Sequence, residues 1–423
     1  MLPMYEDRRS LRLRSAWLWL LLLPLLALSV LIMARSREER GACFQLRPAT
    51  VAGQERDALC WALIGNTGQH LEEERAAGVG AKVWSLSWRE YFPEDGVVDR
   101  SYLQHKHAEL TALRQEGFAV ILSLGFHDTP RWVHSAGDNT YYVNQYGDRY
   151  NSEEGAADRS DANLVFNRTL RPLVAAYVRQ VFAEFGGDFA AVRLGGGRFG
   201  ELTYPSAEYN GKENSYWAFD ASALAQSPVP EWRPGDPSPN GEAGRFLSWY
   251  HSALTEFQTW QITMLREHYD GPIMLLYPSW GIRPGDVERA IAQDLDGSTA
   301  AERNGEIQRG YDFAAHISAI GDPDVIVTTT WLDADASRDG GTDQRYWSPV
   351  KYLARLAADH PLRLAVFGEN TGHGDREEME HAAAQAQLYG LRGMAWFNAE
   401  ELWSGRYATL DDYRLIIQRT SLR

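Results

Sequence analysis

From Leu59 to the end of the chain, short apolar runs alternate with amphipathic segments at a regular pitch, and this alternation constrains the fold more than any other feature. The apolar runs read as strands over 60–66, 81–88, 118–126, 189–194, 272–280, 324–331, 362–370 and 393–398. Between them, helical patterns fall over 70–78, 102–116, 162–185, 245–269, 284–293, 348–359, 376–389 and 409–419, several closed by glycine. The stretches 127–161, 203–243 and from about 294 to 321 read as loops. Eight strands alternating with eight helices predict an α/β fold, the closed (β/α)₈ TIM barrel, over residues 57–423. A doubly wound open sheet is the competing architecture.

The chain before residue 57 has a different character. Residues 1–15 form a basic tail with Arg8, Arg9, Arg12 and Arg14, and Ala16–Ala34 is an uncharged run of 19 residues. A run of that length spans a hydrocarbon core, and the basic flank before it favours a cytoplasmic N-terminus with an exported body. The expected organisation is a tail, a transmembrane signal anchor over 16–34, a linker over 35–56 and an extracytoplasmic barrel. Secretion after signal cleavage is the competing reading. The chain has two cysteines, Cys43 and Cys60. They leave two possibilities open, one disulfide or two free thiols.

Composition excludes several function classes. The net charge of -15 disfavours a nucleic-acid surface. No cluster of Cys and His has zinc spacing and no Walker pattern follows a strand, and GGGRFG (195–200) after strand four lacks the lysine of a phosphate loop, so neither a metal nor an organic cofactor is expected. Fifteen tryptophans are enough to supply flat rings to a sugar site as well as to a core.

In such barrels the chemistry gathers at the C-terminal ends of the strands. Those ends carry Asn66, Trp88 with Arg89, His127 with Asp128, and Glu201 with Tyr204. They also carry Tyr277 with Trp280, Trp331 with Asp333, Glu369 with Asn370, and Trp396 with Asn398. Glu201 and Glu369 are the expected catalytic pair, from strands four and seven. One protonates a leaving oxygen, and the other attacks an anomeric carbon or activates water. Arg89, His127, Tyr204, Tyr277, Trp280, Trp331, Asn370 and Trp396 are the expected substrate contacts. The competing readings are a surface ion pair for Arg89, a loop histidine for His127, rim packing for Trp280, Trp331 and Trp403, and a solvated loop or helix start for Glu400 and Glu401.

Two stretches carry a family resemblance. Residues 78–133, with WREYFPEDGVVD and the later TPRW, resemble the start of the barrel of family 42 glycoside hydrolases, the β-galactosidase-like group. GELTYPS (200–206) is similar to the GELRYPS stretch of β-amylases of family 14. The resemblance implies a glycosidase acting on an oligo- or polysaccharide, with Glu201 as proton donor. Placement at strand seven implies Glu369 as nucleophile of a retaining enzyme. Retaining enzymes of this clan usually place Asn before the acid/base Glu. Here Gly200 stands there, as in β-amylases, which invert. A retaining hydrolase is therefore expected first. An inverting α-glucan hydrolase and a catalytically inactive polysaccharide-binding barrel are the alternatives.

Overall fold

The computed structural model describes residues 43, 59–65, 68–150, 161–298 and 305–421. The basic tail, the apolar run 16–34, the linker apart from Cys43, and Asn66 lie outside the described residues. Among the described residues, no helix is long and apolar enough to cross a membrane.

Eight parallel strands close on themselves in sequence order. They are β1 (Cys60–Ile64), β2 (Ala81–Ser85), β3 (Ala119–Ser123), β4 (Ala191–Leu194), β5 (Ile273–Tyr277), β6 (Val325–Thr329), β7 (Ala365–Glu369) and β8 (Gly393–Phe397). Pairing of Cys60 with Gly393 through Ile64 with Phe397 seals the cylinder. Outside it pack α1 (Leu71–Ala76), α2 (Arg100–Gln115), α3 (Arg171–Phe185), α4 (Glu242–Arg266), α5 (Phe313–Ser318), α6 (Pro349–Asp359), α7 (Arg376–Leu388) and α8 (Leu410–Ser421). Local chemistry starts them. Asp99 caps α2 by accepting from the Ser101 and Tyr102 amides, and Asp375 with Glu378 forms a capping box on α7.

Strand side chains alternate between two cores. Inside the cylinder lie Cys60, Ala62 and Ile64 of β1, Ala81 and Val83 of β2, Ala119 and Ile121 of β3, and matching residues of the other strands. The opposite parity faces the helices, as with Trp61, Trp84, Val192, Leu275, Tyr277 and Trp396. Continuing the inward series to the strand ends places Ser85, Ser123, Arg193, Glu369 and Phe397 at the mouth. At the opposite end, Cys43 and Cys60 form a disulfide, which resolves the alternative left by the sequence.

Two element boundaries differ from the sequence pattern. The helical pattern over 162–185 becomes helix only from Arg171, because Pro172 stands in its first turn and Asn167 turns the chain ahead of it. The stretch expected as loop before 321 contains α5, capped by Asp312, which accepts from the Ala315 amide.

Candidate active site

The mouth of the cylinder opens into a cavity of about 490 Å³, lined from β1, β2, β3, β4, β7 and β8 and from the loops that follow several strands. Both expected acids line it. Glu201 is carried by a tight turn after β4. The Gly197 amide donates to the Glu201 carbonyl at 2.8 Å, and the Leu202 amide donates to the Leu276 carbonyl at 2.9 Å, pinning the turn to the end of β5. Gly195 is obligatory here, since a Cβ would lie 2.1 Å from the Gly200 carbonyl oxygen. The next residues anchor the turn. Tyr204 is fully buried, stacks on Tyr250 at 4.0 Å, and donates to the Tyr250 carbonyl at 2.8 Å.

The two carboxyls sit in unlike surroundings. Burial pushes Glu201 up to about 7, and the charge of Glu369 adds to this, while Thr330, Arg309 and Arg193 oppose it. Thr330 Oγ1 donates to Glu201 Oε1 at 2.6 Å. Burial also raises Glu369 above the ordinary carboxylate range, against the charge and hydrogen bond of Arg193. Arg193 Nη2 lies 2.6 Å from Glu369 Oε2, and the two side chains are 8% and 13% exposed. Among the described residues, Arg193 Nε is buried without an acceptor. An acid raised to near neutrality and a second carboxyl paired with an arginine, on one cavity, are the parts that acid-assisted cleavage uses.

The other expected contacts divide. Arg89, His127, Trp331 and Asn370 line the cavity. Arg89 holds Asp128, also on the cavity wall, at 2.9 Å. Burial, with help from Arg193 and against Asp128, lowers His127 to about 4, so its ring is neutral at neutral pH. Asn370 ties β7 to β8. Its Oδ1 accepts from the Phe397 amide at 2.6 Å, and its Nδ2 donates to the Gly372 and Phe397 carbonyls.

No protein-family model and no curated protein matches this chain. Solved structures do match. The catalytic domain of a β-amylase from Paenibacillus polymyxa is similar over 87% of this chain and 100% of its own, with TM-score 0.64 and 17% identity. β-Galactosidases from Marinomonas ef1 and from the haloarchaeon Halorubrum lacusprofundi match 86% of this chain with TM-scores of 0.52 and 0.54, each at 12% identity. This chain spans 60% and 58% of those two proteins. The chain shares their (β/α)₈ barrel fold.

Within this barrel, four expected contacts do not reach the cavity. Tyr277 and Trp396 have outward parity. Tyr277 donates to Gln258 Oε1 at 2.8 Å, and Trp396 is 2% exposed against the helices. Tyr204 anchors the turn from behind, and Trp280 is half-buried off the lining. Of the expected tryptophan contacts, Trp331 alone lines the cavity, joined by Tyr150, Phe199 and Phe397. Trp403 instead stacks on His70 at 3.8 Å, and Glu400 and Glu401 start a short helix, Ala399–Ser404. Asp333 accepts from the Thr371 amide and hydroxyl, bracing the loop after β7.

Arg193, Thr330, Phe199 and Phe397 escaped the sequence reading. Arg193 had a legible signal, a cation inside an apolar strand with the parity of the lumen residue Ala191. Phe397 had the same signal relative to Ala395. Thr330 had none, since its role depends on where the β4 turn folds back.

Proposed function

We propose that the protein is a glycoside hydrolase in which Glu201 is the general acid and Glu369 the second carboxyl. The observation that carries this is the pairing itself. Two acids from the ends of β4 and β7 line one cavity, one titrating near neutrality and the other held by Arg193. Glu201 protonates the glycosidic oxygen as the bond to the anomeric carbon breaks. In the retaining course, Glu369 attacks that carbon to form a glycosyl-enzyme. Glu201, now ionised, then takes a proton from the water that releases the sugar. Arg193 opposes the effect of burial on Glu369 and so favours the carboxylate that attacks.

An inverting course is the second reading. It is favoured by Gly200 before the acid and by the extent of the β-amylase likeness. The two courses need carboxyl groups about 5–5.5 Å apart or about 6.5–9.5 Å apart. Proton NMR of the first-formed product anomer, across a panel of α- and β-linked oligosaccharides, decides between them. Binding without turnover anywhere in the panel supports the inactive sugar-binding barrel instead and refutes the hydrolase.

The proposed setting is outside the cytoplasm, with residues 1–15 inside, 16–34 as membrane anchor, 35–56 as linker and 57–423 as the catalytic domain. The uncharged run and its basic flank support this, and so does the Cys43–Cys60 disulfide, a bond of oxidising compartments. Protease added to intact cells digests the barrel if the proposal is right and spares it if the barrel is cytoplasmic.

A further inference from the structure

Phe199 is the anomaly of the cavity wall. It is 65% exposed, against 38% for Phe397, the other phenylalanine of the lining. Its backbone is left-handed, with φ 59° and ψ 12°, a conformation that side chains rarely adopt and that concentrates at functional sites. Glycines stand close on both sides, at Gly197 and Gly200, yet this bend falls on a bulky aromatic residue. Among the described residues no other aromatic ring packs on it. Arg198 holds its guanidinium carbon 4.7 Å from the ring centroid, covering one face. The ring therefore serves no core, and the conformation that costs the turn stability throws it outward.

The turn also fixes what the ring can meet. Phe199 and Glu201 belong to one turn, closed by the Gly197 amide on the Glu201 carbonyl at 2.8 Å. An acid protonates the oxygen that departs with the leaving group, so the departing unit lies on the Glu201 side of the scissile bond. A flat apolar ring beside it matches the C–H face of a pyranose. Of the three arginines on the wall, Arg89 pairs with Asp128 at 2.9 Å, Arg193 pairs with Glu369 at 2.6 Å, and Arg198 lies over the Phe199 ring, which suits an uncharged sugar.

We infer that Phe199 is the platform for the sugar unit on the leaving-group side, an uncharged pyranose, and that it makes the enzyme select glycosyl over non-carbohydrate leaving groups. This rests on the glycosidase reading and extends it to the substrate.

The test compares leaving groups. Wild type, Phe199→Ala and Phe199→Trp are assayed on maltopentaose and β-1,4-galactotetraose, and on the α- and β-fluorides of glucose and galactose. Fluoride departs without a ring to stack. The Ala variant loses roughly tenfold in kcat/KM on the oligosaccharide that wild type cleaves. It stays within about twofold on the matching fluoride, and Trp restores the oligosaccharide rate. Equal losses on both substrates mean that the ring merely shapes the turn, and overturn the inference. So does an unchanged oligosaccharide rate. A wild type that cleaves the fluorides but neither oligosaccharide overturns the inference and leaves the glycosidase reading standing. A wild type that turns over none of the probes removes that reading, and this inference with it.

Discussion

Replacing Thr330 with valine removes one hydroxyl and keeps the branched shape. That hydroxyl donates to Glu201 Oε1 at 2.6 Å, and its effect on Glu201 opposes that of burial. A hydrogen bond to a charged group contributes about 1.5–3 kcal/mol. A hydroxyl also donates to the carbonyl oxygen of the neutral acid, so about half of that distinguishes the two protonation states. The difference is about 0.8–1.5 kcal/mol, or up to about one pKa unit. Deleting the bond disfavours the carboxylate, so the pKa of Glu201 rises. Glu201 must be protonated to act, and its carboxyl stands at about 7. The alkaline limb of kcat/KM therefore lies near neutral pH in wild type and rises by up to about one unit in Thr330→Val, with little change on the plateau below it. The assay is a full pH profile of kcat/KM on one oligosaccharide for both proteins. A limb that stays in place, or moves toward acid, refutes the assignment of that limb to Glu201.

Other outcomes follow from the same structure. Arg193→Met leaves Glu369 buried without its cation, so the acidic limb of the rate profile moves to higher pH and stability falls by about 3–5 kcal/mol; an unmoved limb and an unchanged denaturation midpoint contradict this. Cys60→Ser opens a bond between residues 17 apart, and calorimetry should register a loss of about 3 kcal/mol. His316 accepts from Thr255 and donates to the Gly310 carbonyl, and burial lowers it to about 4. Between that value and the unfolded value near 6.5 the unfolded chain binds the extra proton, so stability is full above about 6.5 and declines as pH falls toward 4. Urea midpoints at pH 7.5 and 4.5 report the decline, which should shrink in His316→Gln.

The architecture was legible because each strand is a short buried run and each main helix begins or ends on its own chemistry, as at Asp99 and Asp375. The placement of Glu201 and Glu369 on the cavity wall was legible because Glu369 continues the inward series of β7 and because glycines announce the turn that carries Glu201. The aromatic lining was misjudged through parity. Tyr277 and Trp396 stand at strand ends, but their alternation with Leu276 and Ala395 turns them to the helices, and Phe397 takes the inward position beside Trp396. Tyr204 belongs to a motif that reads as a sugar contact, yet its stack on Tyr250 holds the turn from outside. Arg193 and Thr330 act on carboxyls carried by other strands, and Asn370 on the end of the neighbouring strand, and such pairings are set by closure of the cylinder rather than by any local pattern.

The most direct measurement is kcat for Glu201→Gln and Glu369→Gln on the oligosaccharide that wild type cleaves best, with thermal melting recorded alongside. Loss of general acid catalysis lowers a rate by about 10²–10⁴, so Glu201→Gln should fall at least a hundredfold, and Glu369→Gln, which removes the attacking or water-activating carboxyl, should fall at least as far, each melting as a folded barrel. A folded variant of either kind that hydrolyses at the wild-type rate contradicts the account.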